Sequence, residues 1–439
     1  MPSKAGLVVY KGRPAKVENV MSVTEVIQGG CRFCGVKLRH TFVDLGMSPL
    51  AESWLKLSQL KQMERFYPLH VYVCEHCFLV QLEEFESPEN IFSDYAYFSS
   101  YSETWLQHAK AYVEMAIERF GLNGGSQVVE IASNDGYLLR NFVGKRIKVL
   151  GVEPAANVAK VAVERGIPTL AKFFGEKTAR ELVSEGTQAN LIIGNNVLAH
   201  VPELNDFVKG LKILLKPAGT ITMEFPHLMQ LIANNEFDTI YHEHFSYLSF
   251  TTVENVFAAY GLALYDVEEL PTHGGSLRIY ARHTEDTSKP ITLHAKELKA
   301  REEAAGFTRL ETYLSFSERA KETKRKLLDF LIRAKRERKS IAAYGAAAKG
   351  VTLLNYCGIR TDFIDYAVDL SPHKQGYFMP GVHIPIFHPG KIKETKPDYI
   401  LILPWNLKDE IIRQMACIGD WGGKFVVPIP EVTVYDSPF

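Results

Sequence analysis

Short apolar runs and amphipathic stretches alternate along the middle of the chain. Apolar runs of four to six residues predict strands at 127–131, 148–153, 191–194 and 220–225. Between them apolar residues recur at helical intervals, as at 155–166, and the helix between the last two strands is predicted to end at the turn 216–219. Strands that alternate with helices are wound in parallel, so the pattern predicts an α/β sheet covered by helices.

The pattern changes after this region. Two further apolar runs, at 262–268 and 276–283, predict an antiparallel pair added at the edge of the sheet. Residues 291–339 are charged, lack proline and repeat apolar positions at helical spacing, which predicts long connecting helices. A last α/β unit begins at Ile341 and adds strands at 399–403 and 425–429.

These changes divide the chain into five predicted parts. They are an extension at 1–24, a cysteine module at 25–88, an α/β core at 89–285, a helical connector at 286–339 and a second α/β domain at 340–439. Within the core, the aromatic segment 90–101 is interpreted as a packed linker or as a lid.

Composition and charge exclude several classes of protein. The 439 residues carry 50 Lys plus Arg against 51 Asp plus Glu, a net charge of −1, so no general field attracts a polyanion. Nucleic acid is therefore not expected as a partner, and the basic residues of 321–339 are interpreted as a solvated helix face. No apolar run approaches the roughly 20 residues that cross a bilayer, and no secretory signal is recognised, so the expected location is cytoplasmic.

Four of the six cysteines form two C-x-x-C pairs, Cys31 with Cys34 and Cys74 with Cys77. Thiolates at this spacing on two tight turns can share one tetrahedral ion, and a cytosolic setting disfavours disulfides. The pattern predicts a structural zinc tetrathiolate, which has no open position for chemistry. Replacement of one sulfur by His70 or His76 stays open as an alternative, and Cys357 and Cys417 are interpreted as core thiols.

The turns after the predicted strands carry candidate ligand-binding residues. Glu130 ends the first strand, and the turn after it contains Ala132, Asn134 and Gly136. Glycine at a helix start lets a ligand approach the backbone closely. Glu153 ends the second strand, where a carboxylate can accept both hydroxyl groups of a ribose.

The absence of a phosphate-binding sequence pattern limits which class of ligand is expected. The G-x-G-x-x-G pattern is absent, and an acidic strand end repels a pyrophosphate, so a cationic adenosine without phosphate fits better. S-adenosylmethionine is such a ligand, and Asn195, after the fourth strand, is predicted to contact its amino acid part. Taken singly, each of these residues also fits an ordinary solvated strand end.

Longer sequence blocks carry a family resemblance. The chain contains VVEIASNDGYLL, GVEPAANVA, NNVLAHV, MEFPHLM, YHEHFSYLS, HGGSLR, YGAAAKG and KQGYFMPG. In order and spacing these blocks resemble the class I S-adenosylmethionine methyltransferases, and among them the sugar C-methyltransferases that act on nucleotide-activated keto-sugars. The resemblance extends to the cysteine module and implies a Rossmann-like methyltransferase core. It also implies a Rossmann-like C-terminal domain that helps to hold a nucleotide-diphosphate keto-deoxysugar.

The segment 241–244, Tyr-His-Glu-His, has three interpretations: a solvated loop, a metal site or a catalytic site. The resemblance implies the third, because a carbon becomes nucleophilic only after a proton beside a carbonyl is removed to give an enolate. His244 matches the base of the family, with Tyr241 and Glu243 beside it and His200 as a further active-site histidine. The expected position of methylation is C3 of a 4-keto sugar.

Five further residues are predicted to contact the methyl donor or the substrate around this site. Tyr97 is predicted to cover the methyl donor, and His227 to contact the substrate. Arg278, Lys349 and Lys374 are predicted to supply counter-charge to a diphosphate. Methyl transfer to oxygen or nitrogen and a zinc-containing scaffold remain as alternative functions.

Overall fold

The structure is a computed structural model that describes residues 29–87, 100 and 103–437. The extension predicted at 1–24 and the segment 90–99 with Tyr97 lie outside the described residues. The strands are β1 (His40–Ser48), β2 (Tyr67–Val73), β3 (Val80–Leu82), β4 (Gln127–Ile131), β5 (Lys148–Val152), β6 (Thr169–Leu170), β7 (Ala189–Asn195), β8 (Leu215–Pro226), β9 (Ser246–Tyr247), β10 (Leu262–Leu270), β11 (Ser276–His283), β12 (Ile341–Tyr344), β13 (Tyr366–Val368), β14 (Ile386–Phe387), β15 (Tyr399–Ile402), β16 (Lys424–Val427) and β17 (Thr433–Asp436).

The helices are α1 (Glu103–Phe120), α2 (Leu139–Val143), α3 (Ala156–Glu164), α4 (Glu176–Ser184), α5 (Leu204–Leu214), α6 (Leu228–Ala233), α7 (Phe250–Ala259), α8 (Leu293–Ala304), α9 (Leu310–Leu314), α10 (Phe316–Arg336), α11 (Ala348–Cys357), α12 (Gly390–Thr395) and α13 (Lys408–Gln414). Short 3-10 turns connect several of them. No helix in the described ranges is long and apolar enough to cross a membrane.

A seven-stranded sheet forms the core, in the order β10-β11-β8-β7-β4-β5-β6. The strands from β8 to β6 are parallel, and β11 runs antiparallel to both of its neighbours. Four of the five residues of β4 are buried, as expected for a central strand with helices on both faces. The predicted α/β fold class is confirmed.

The antiparallel pair predicted at the edge of the sheet is confirmed: β10 is the outermost strand, and β11 lies between β10 and β8. One detail of this sheet differs from the sequence prediction. The turn predicted at 216–219 belongs to β8, which begins directly after α5. Ala189 pairs with Leu215 and Leu191 with Thr220, so the extra residues of β8 are accommodated as an irregularity in register.

A six-stranded sheet forms the C-terminal domain, in the order β14-β13-β12-β15-β16-β17. Its strands are parallel except for β17, which pairs antiparallel with β16. All four residues of β12 are buried, and α11 begins four residues after that strand ends. This β12–α11 turn therefore lies at the carboxyl edge of a parallel sheet, the usual place for a ligand.

The third sheet ties the N-terminal module to the core. It has the order β1-β2-β3-β9, and β9 comes from the stretch that follows the segment 241–244. Val80 of β3 pairs with Tyr247, and Gln81 pairs with Ser246. The module is thus completed by a strand from the predicted catalytic region, a pairing that no local sequence pattern indicates.

Candidate active site and zinc centre

The four cysteine thiols of the N-terminal module come together. All four sulfur atoms lie within 4.8 Å of one another, and the Sγ atoms of Cys31 and Cys77, like those of Cys34 and Cys74, are 3.5 Å apart. Sulfurs about 2.3 Å from a central zinc ion are about 3.8 Å apart in a tetrahedron, so the cluster fits the ion. Hydrogen bonds among the thiols lower the pKa of Cys31 and raise the pKa of Cys77.

Two equivalent turns present these thiols. The amide of Gly35 donates to the carbonyl of Cys31 at 2.8 Å, and the amide of Phe78 donates to the carbonyl of Cys74 at 2.9 Å. Both donors have positive φ, 76° for Gly35 and 58° for Phe78. Glycine is the residue expected in this conformation, so Phe78 gives the second turn no recognisable sequence signal.

Histidine does not replace a sulfur in the cluster. The Nε2 atom of His70 is 2.7 Å from the Thr41 hydroxyl, and its ring stacks on Tyr72. Among the described residues, the cysteine cluster is the only group of three or more His, Cys, Asp or Glu side chains close enough to share a metal. This finding also argues against a metal at 241–244.

Glu130 is a buried carboxylate without a counter-charge. It is 1% exposed, and neither of its oxygens has a hydrogen-bond partner among the described residues. Burial raises the pKa of Glu130 well above its ordinary value, and the carboxylates of Glu153 and Asp135 raise it further. A cation is the ligand that would neutralise this group, so the site fits the sulfonium and ammonium groups of S-adenosylmethionine.

Glu153 holds the turn after β4 in place. One of its oxygens accepts the amide of Asn134 and the other accepts the amide of Ala155, both at 2.9 Å. Burial raises the pKa of Glu153, while these two amides act in the opposite direction. Each oxygen keeps a lone pair, so the predicted ribose contact remains compatible with this arrangement.

The turn itself has an unusual backbone. Ala132, Asn134 and Gly136 have φ values of 55°, 50° and 77°. A Cβ atom on Gly136 would lie 2.8 Å from the Cγ1 atom of Ile167, so the glycine is required for close packing as well as for its conformation. These positive φ values and the close packing of Gly136 produce a compact, largely buried turn at the carboxyl end of β4.

Aromatic residues beside this turn were missed by the sequence reasoning. Burial and the neighbouring Glu130 raise the pKa of Tyr137 well above its ordinary value, and hydrogen bonds to Asn195 and Trp105 partly oppose them. The Trp105 ring lies 6.2 Å from Tyr137 and 5.7 Å from His273, measured between ring centres. Trp105 lies outside the sequence blocks that indicated a ligand, and Tyr137 lies in the block VVEIASNDGYLL but was given no role there.

The segment 241–244 is buried, not solvated. His242, Glu243 and His244 are 4%, 4% and 9% exposed. The Nδ1 atom of His244 donates to the carbonyl of Thr239 at 3.0 Å, so in the neutral imidazole Nε2 is the nitrogen that accepts a proton. Burial lowers the pKa of His244 well below its ordinary value, and His200 lowers it further, so the ring is neutral near pH 7.

Two rings pack directly against His244. The ring centre of Tyr241 lies 4.1 Å away and that of His200 lies 4.6 Å away in an edge-on arrangement. Burial lowers the pKa of His200 to about 4, so this second histidine is also neutral. Burial raises the pKa of Glu243 to about 7, with Glu52 of the N-terminal module adding to the effect. The structure thus brings together all four residues predicted to be catalytic.

His227 and Arg278 have carboxylate partners inside the protein. The Nε2 atom of His227 is 2.7 Å from Glu302 on α8, and both side chains are buried. Arg278 pairs with Glu224 at 2.8 Å and with Glu268 at 2.9 Å. The counter-charge that Arg278 was predicted to offer is already matched, and the ring with which His227 was predicted to contact the substrate is bonded inside the protein. Their roles in binding therefore stay predictions.

The two predicted lysines lie at the β12–α11 turn. Lys349 donates to the Asn406 side-chain oxygen at 2.8 Å, and its ammonium lies 4.5 Å from the centre of the Trp405 ring. Lys374 donates to the Ala346 carbonyl at 2.8 Å. The turn therefore presents two cations from the C-terminal domain.

Trp54 and Glu52 bring the N-terminal module to the same turn. The ammonium of Lys374 lies 4.7 Å from the Trp54 ring centre and 3.9 Å from a Glu52 oxygen. Since Glu52 also acts on Glu243, all three parts of the protein meet near the predicted catalytic segment.

Two acidic residues near Lys349 were also missed. Burial raises the pKa of Glu236 to about 7 and that of Asp238 to about 6. Burial lowers the pKa of Lys349, and the charges of Asp238 and Glu236 oppose this shift. Asp238 accepts a hydrogen bond from the Trp405 indole at 2.8 Å. Their partners Trp405 and Lys349 are more than 100 residues away in the sequence, so no local pattern indicated these two acids.

Three family models match the chain in order. A "Putative zinc binding domain" model covers residues 31–92, a "Methyltransferase domain" model covers 105–267, and a "C-methyltransferase C-terminal domain" model covers 271–430. The chain is 35% identical over 407 residues to the C-methyltransferase NovU of Streptomyces niveus, an alignment that covers 93% of this chain and 97% of that protein.

Solved structures match a smaller part. Magnesium protoporphyrin IX methyltransferase of Synechocystis PCC 6803, crystallised with S-adenosylmethionine, is 14% identical with a TM-score of 0.31, covering 40% of this chain and 78% of that one. The PH0226 protein of Pyrococcus horikoshii OT3 is 17% identical with a TM-score of 0.36, covering 45% of this chain and 99% of that one.

The sheet order, the antiparallel β11 and the matched methyltransferase domain define a class I S-adenosylmethionine-dependent methyltransferase with a zinc-binding module. The chain belongs to the C-methyltransferase family, over nearly its whole length. It is therefore an enzyme of methyl transfer, and the scaffold alternative is set aside. Membership of a C-methyltransferase family likewise disfavours oxygen or nitrogen as the acceptor.

Proposed function

We propose that this enzyme methylates a carbon beside the ketone of a nucleotide-diphosphate keto-deoxysugar, at C3 of a 4-keto sugar. The observation that carries the proposal is the state of His244. Its ring is buried and neutral, and its hydrogen bond to the Thr239 carbonyl directs the lone pair to Nε2. A neutral imidazole with a fixed tautomer is a suitable general base near neutral pH.

His244 Nε2 takes the proton from the carbon next to the ketone, and the electron pair moves to the carbonyl oxygen to give an enolate. The Nδ1–H bond to Thr239 persists when the ring becomes an imidazolium, so the same contact stabilises the charged base. Tyr241 and His200, packed on His244, are the groups that can donate to the enolate oxygen. When bound, S-adenosylmethionine supplies an electrophilic methyl group on a sulfonium.

The turn after β4 would hold this methyl donor. Glu130 supplies negative charge, Glu153 the ribose contact, and Asn195 a contact to the amino acid part. The backbone of Ala132, Asn134 and Gly136 lines the approach. Support comes from the buried, unmatched carboxylate of Glu130, which a cationic ligand would neutralise.

The β12–α11 turn would hold the diphosphate of the sugar nucleotide. Lys349 and Lys374 both lie there, and their hydrogen bonds go to a neutral amide and a backbone carbonyl. The nearest carboxylate oxygen to Lys374, on Glu52, is 3.9 Å away and leaves donor capacity for a phosphate oxygen. This turn faces the same region as His244, because the charge of Lys349 is one of those that lower the pKa of His244.

Solvent hydrogen exchange tests the base. Wild-type enzyme is incubated in D2O with a panel of nucleoside-diphosphate 4-keto-6-deoxysugars, and deuterium at C3 is followed by NMR before and after S-adenosylmethionine is added. We expect His244→Asn to lose both exchange and methyl transfer by at least about 100-fold. His294→Asn, at an exposed histidine of α8, is the matched control. Exchange at the wild-type rate in His244→Asn would remove His244 from this role.

A further inference from the structure

The turn that fixes the tautomer of His244 is held from the C-terminal domain. The acceptor of its Nδ1–H bond is the carbonyl of Thr239, in the 3-10 turn Phe237–Thr239. This turn lies in the methyltransferase half of the chain. Three of its partners in space, however, are residues more than 100 positions later: Trp405, Thr352 and Tyr356.

Both residues that flank Thr239 are bonded across the domain boundary. Asp238 accepts from the indole N–H of Trp405 at 2.8 Å, and the carbonyl of Ile240 accepts from the hydroxyl of Thr352 at 2.8 Å. These bonds are buried, since Asp238 is 0% and Thr352 is 2% exposed. A third contact is the Phe237 ring, which packs edge-on against Tyr356 of α11 with 5.4 Å between ring centres.

The bonds to 238 and 240 restrict rotation of the peptide between them. A carbonyl that is held on both sides keeps its direction, so the Nδ1–H of His244 keeps its acceptor. Loss of that acceptor would allow the other tautomer, in which Nε2 carries the proton and cannot act as a base. Buried hydrogen bonds of this kind are well suited to orient a base, because neither partner can turn to water instead.

We propose that Trp405 and Thr352 are positioning residues for His244, through which the C-terminal domain holds the catalytic imidazole in its active tautomer. The inference rests on the proposed function of His244 as the base. It adds a role for the C-terminal domain in the proton transfer itself, beyond holding a substrate. Neither residue needs to touch the substrate for this role.

Two conservative variants test the proposal. Trp405→Phe removes the indole N–H and keeps a ring beside Lys349, and Thr352→Val removes only the hydroxyl. Trp421→Phe is the matched control, because its indole donates to the Pro397 carbonyl at 3.0 Å elsewhere in the same domain. We expect kcat to fall about tenfold in each of the two test variants, with the KM for S-adenosylmethionine unchanged.

A substrate-free readout separates positioning from general destabilisation. Long-range 1H–15N NMR of 15N-histidine-labelled enzyme reports the tautomer of His244. The signal of His244 is identified as the one that is missing from the spectrum of His244→Asn. In this substrate-free measurement we expect a mixed tautomer in Trp405→Phe and Thr352→Val. In a separate kinetic measurement we expect the acid limb of kcat to move to lower pH, because a weaker Thr239 bond favours the imidazolium less. Circular dichroism and zinc content check that the fold persists, and Thr352→Val serves if Trp405→Phe does not fold.

The outcomes distinguish this inference from the proposed function. If His244→Asn is inactive while both variants keep the wild-type tautomer, pH profile and kcat, the base stands and the positioning role is wrong. If His244→Asn keeps full exchange, the base itself is wrong. An effect in Trp421→Phe as large as in Trp405→Phe would also overturn the positioning role, since it would show a general effect of losing an indole donor.

Discussion

The turns after β4 and after β12 have a similar backbone hydrogen-bond scheme and differ in whether lysines lie beside them. In the first, the amide of Ala132 donates to the Val152 carbonyl and the amide of Asn134 to Glu153. In the second, the amide of Gly345 donates to the Val368 carbonyl, and the Ala346 amide is bonded to Asp369. The acid then accepts the amide two residues further on in both, Ala155 from Glu153 and Ser371 from Asp369.

The difference lies in the side chains placed around this shared frame. The first turn follows a strand with the buried Glu130, and no cation contacts that carboxylate among the described residues. The second follows the uncharged strand β12 and carries Lys349 and Lys374. Under the proposed function the shared frame would place a ligand at each turn, and the charged side chains around it would favour a cation at the first turn and an anion at the second.

Zinc removal has the largest expected effect and separates the two turns. The cysteine module contacts the second turn through Trp54, and β3 pairs with the strand after His244. Because structural zinc supplies the folding energy of small modules, a strong chelator should unfold the module and reduce methyl transfer at least about 100-fold. Affinity for S-adenosylmethionine, measured by calorimetry, should change about threefold or less. Parallel loss of donor binding would show that the first turn also depends on the module.

Glu130→Gln changes the charge of the first turn alone. Loss of a desolvated charge partner should weaken S-adenosylmethionine binding about 100-fold in calorimetry. The melting temperature of the free enzyme should rise at neutral pH, since a buried carboxylate without a counter-charge is removed. Glu118→Gln, on the exposed side of α1, is the control. Unchanged donor affinity would contradict the selection of a cation by this turn.

Lys349→Met changes the charge of the second turn. A charge-assisted hydrogen bond contributes about 1.5–3 kcal/mol, so KM for the sugar nucleotide should rise about 10- to 100-fold. The affinity for S-adenosylmethionine should stay the same, because the proposed site of the methyl donor is the other turn. Lys393→Met, exposed on α12 of the same domain, is the matched control. A similar rise in KM for both variants would show that Lys349 makes no specific contact with the sugar nucleotide.

The smallest expected effect is on pH dependence: the affinities for S-adenosylmethionine and for the sugar nucleotide should change with pH in opposite directions. Burial raises the pKa of Glu130, so donor affinity should fall severalfold as pH falls through that pKa and the carboxylate is protonated. Burial lowers the pKa of Lys349, so sugar-nucleotide affinity should fall as pH rises and the ammonium is lost. Calorimetry between about pH 6 and about pH 9 checks both trends. Trends of the same sign would contradict the comparison.

The raised pKa of Glu130 also has a consequence for stability. A carboxyl group that binds its proton more tightly in the folded state contributes stability at low pH and loses it as pH rises through the folded pKa. The stability gained by Glu130→Gln should therefore shrink at acidic pH, where the wild-type carboxyl is already neutral. Denaturant unfolding of the free enzymes at several pH values measures this difference.

Local features of the sequence were sufficient for much of the fold. Strands such as β4 and β12 were predicted because a short run with nearly every residue buried is mostly apolar. The zinc cluster was predicted because both ligand pairs are local and only their meeting is not. The antiparallel pair β10 and β11 was predicted at the edge of the sheet, but its internal order was not, because the pair looks the same in sequence whichever of its strands is outermost.

For the site, the sequence by itself determined the residue types that can do the chemistry: four thiols at metal spacing, strand-end acids and a histidine pair. Short motifs carry chemistry of this kind, so it can be recognised in the sequence before the fold is known. Only the tertiary structure decided which groups have partners and which are buried alone. It matched Arg278 with two carboxylates, gave Glu130 no cationic partner among the described residues, and joined Trp405 to Asp238. Burial and long-range hydrogen bonds depend on residues far apart in the chain, and these contacts set the charge and tautomer of each group.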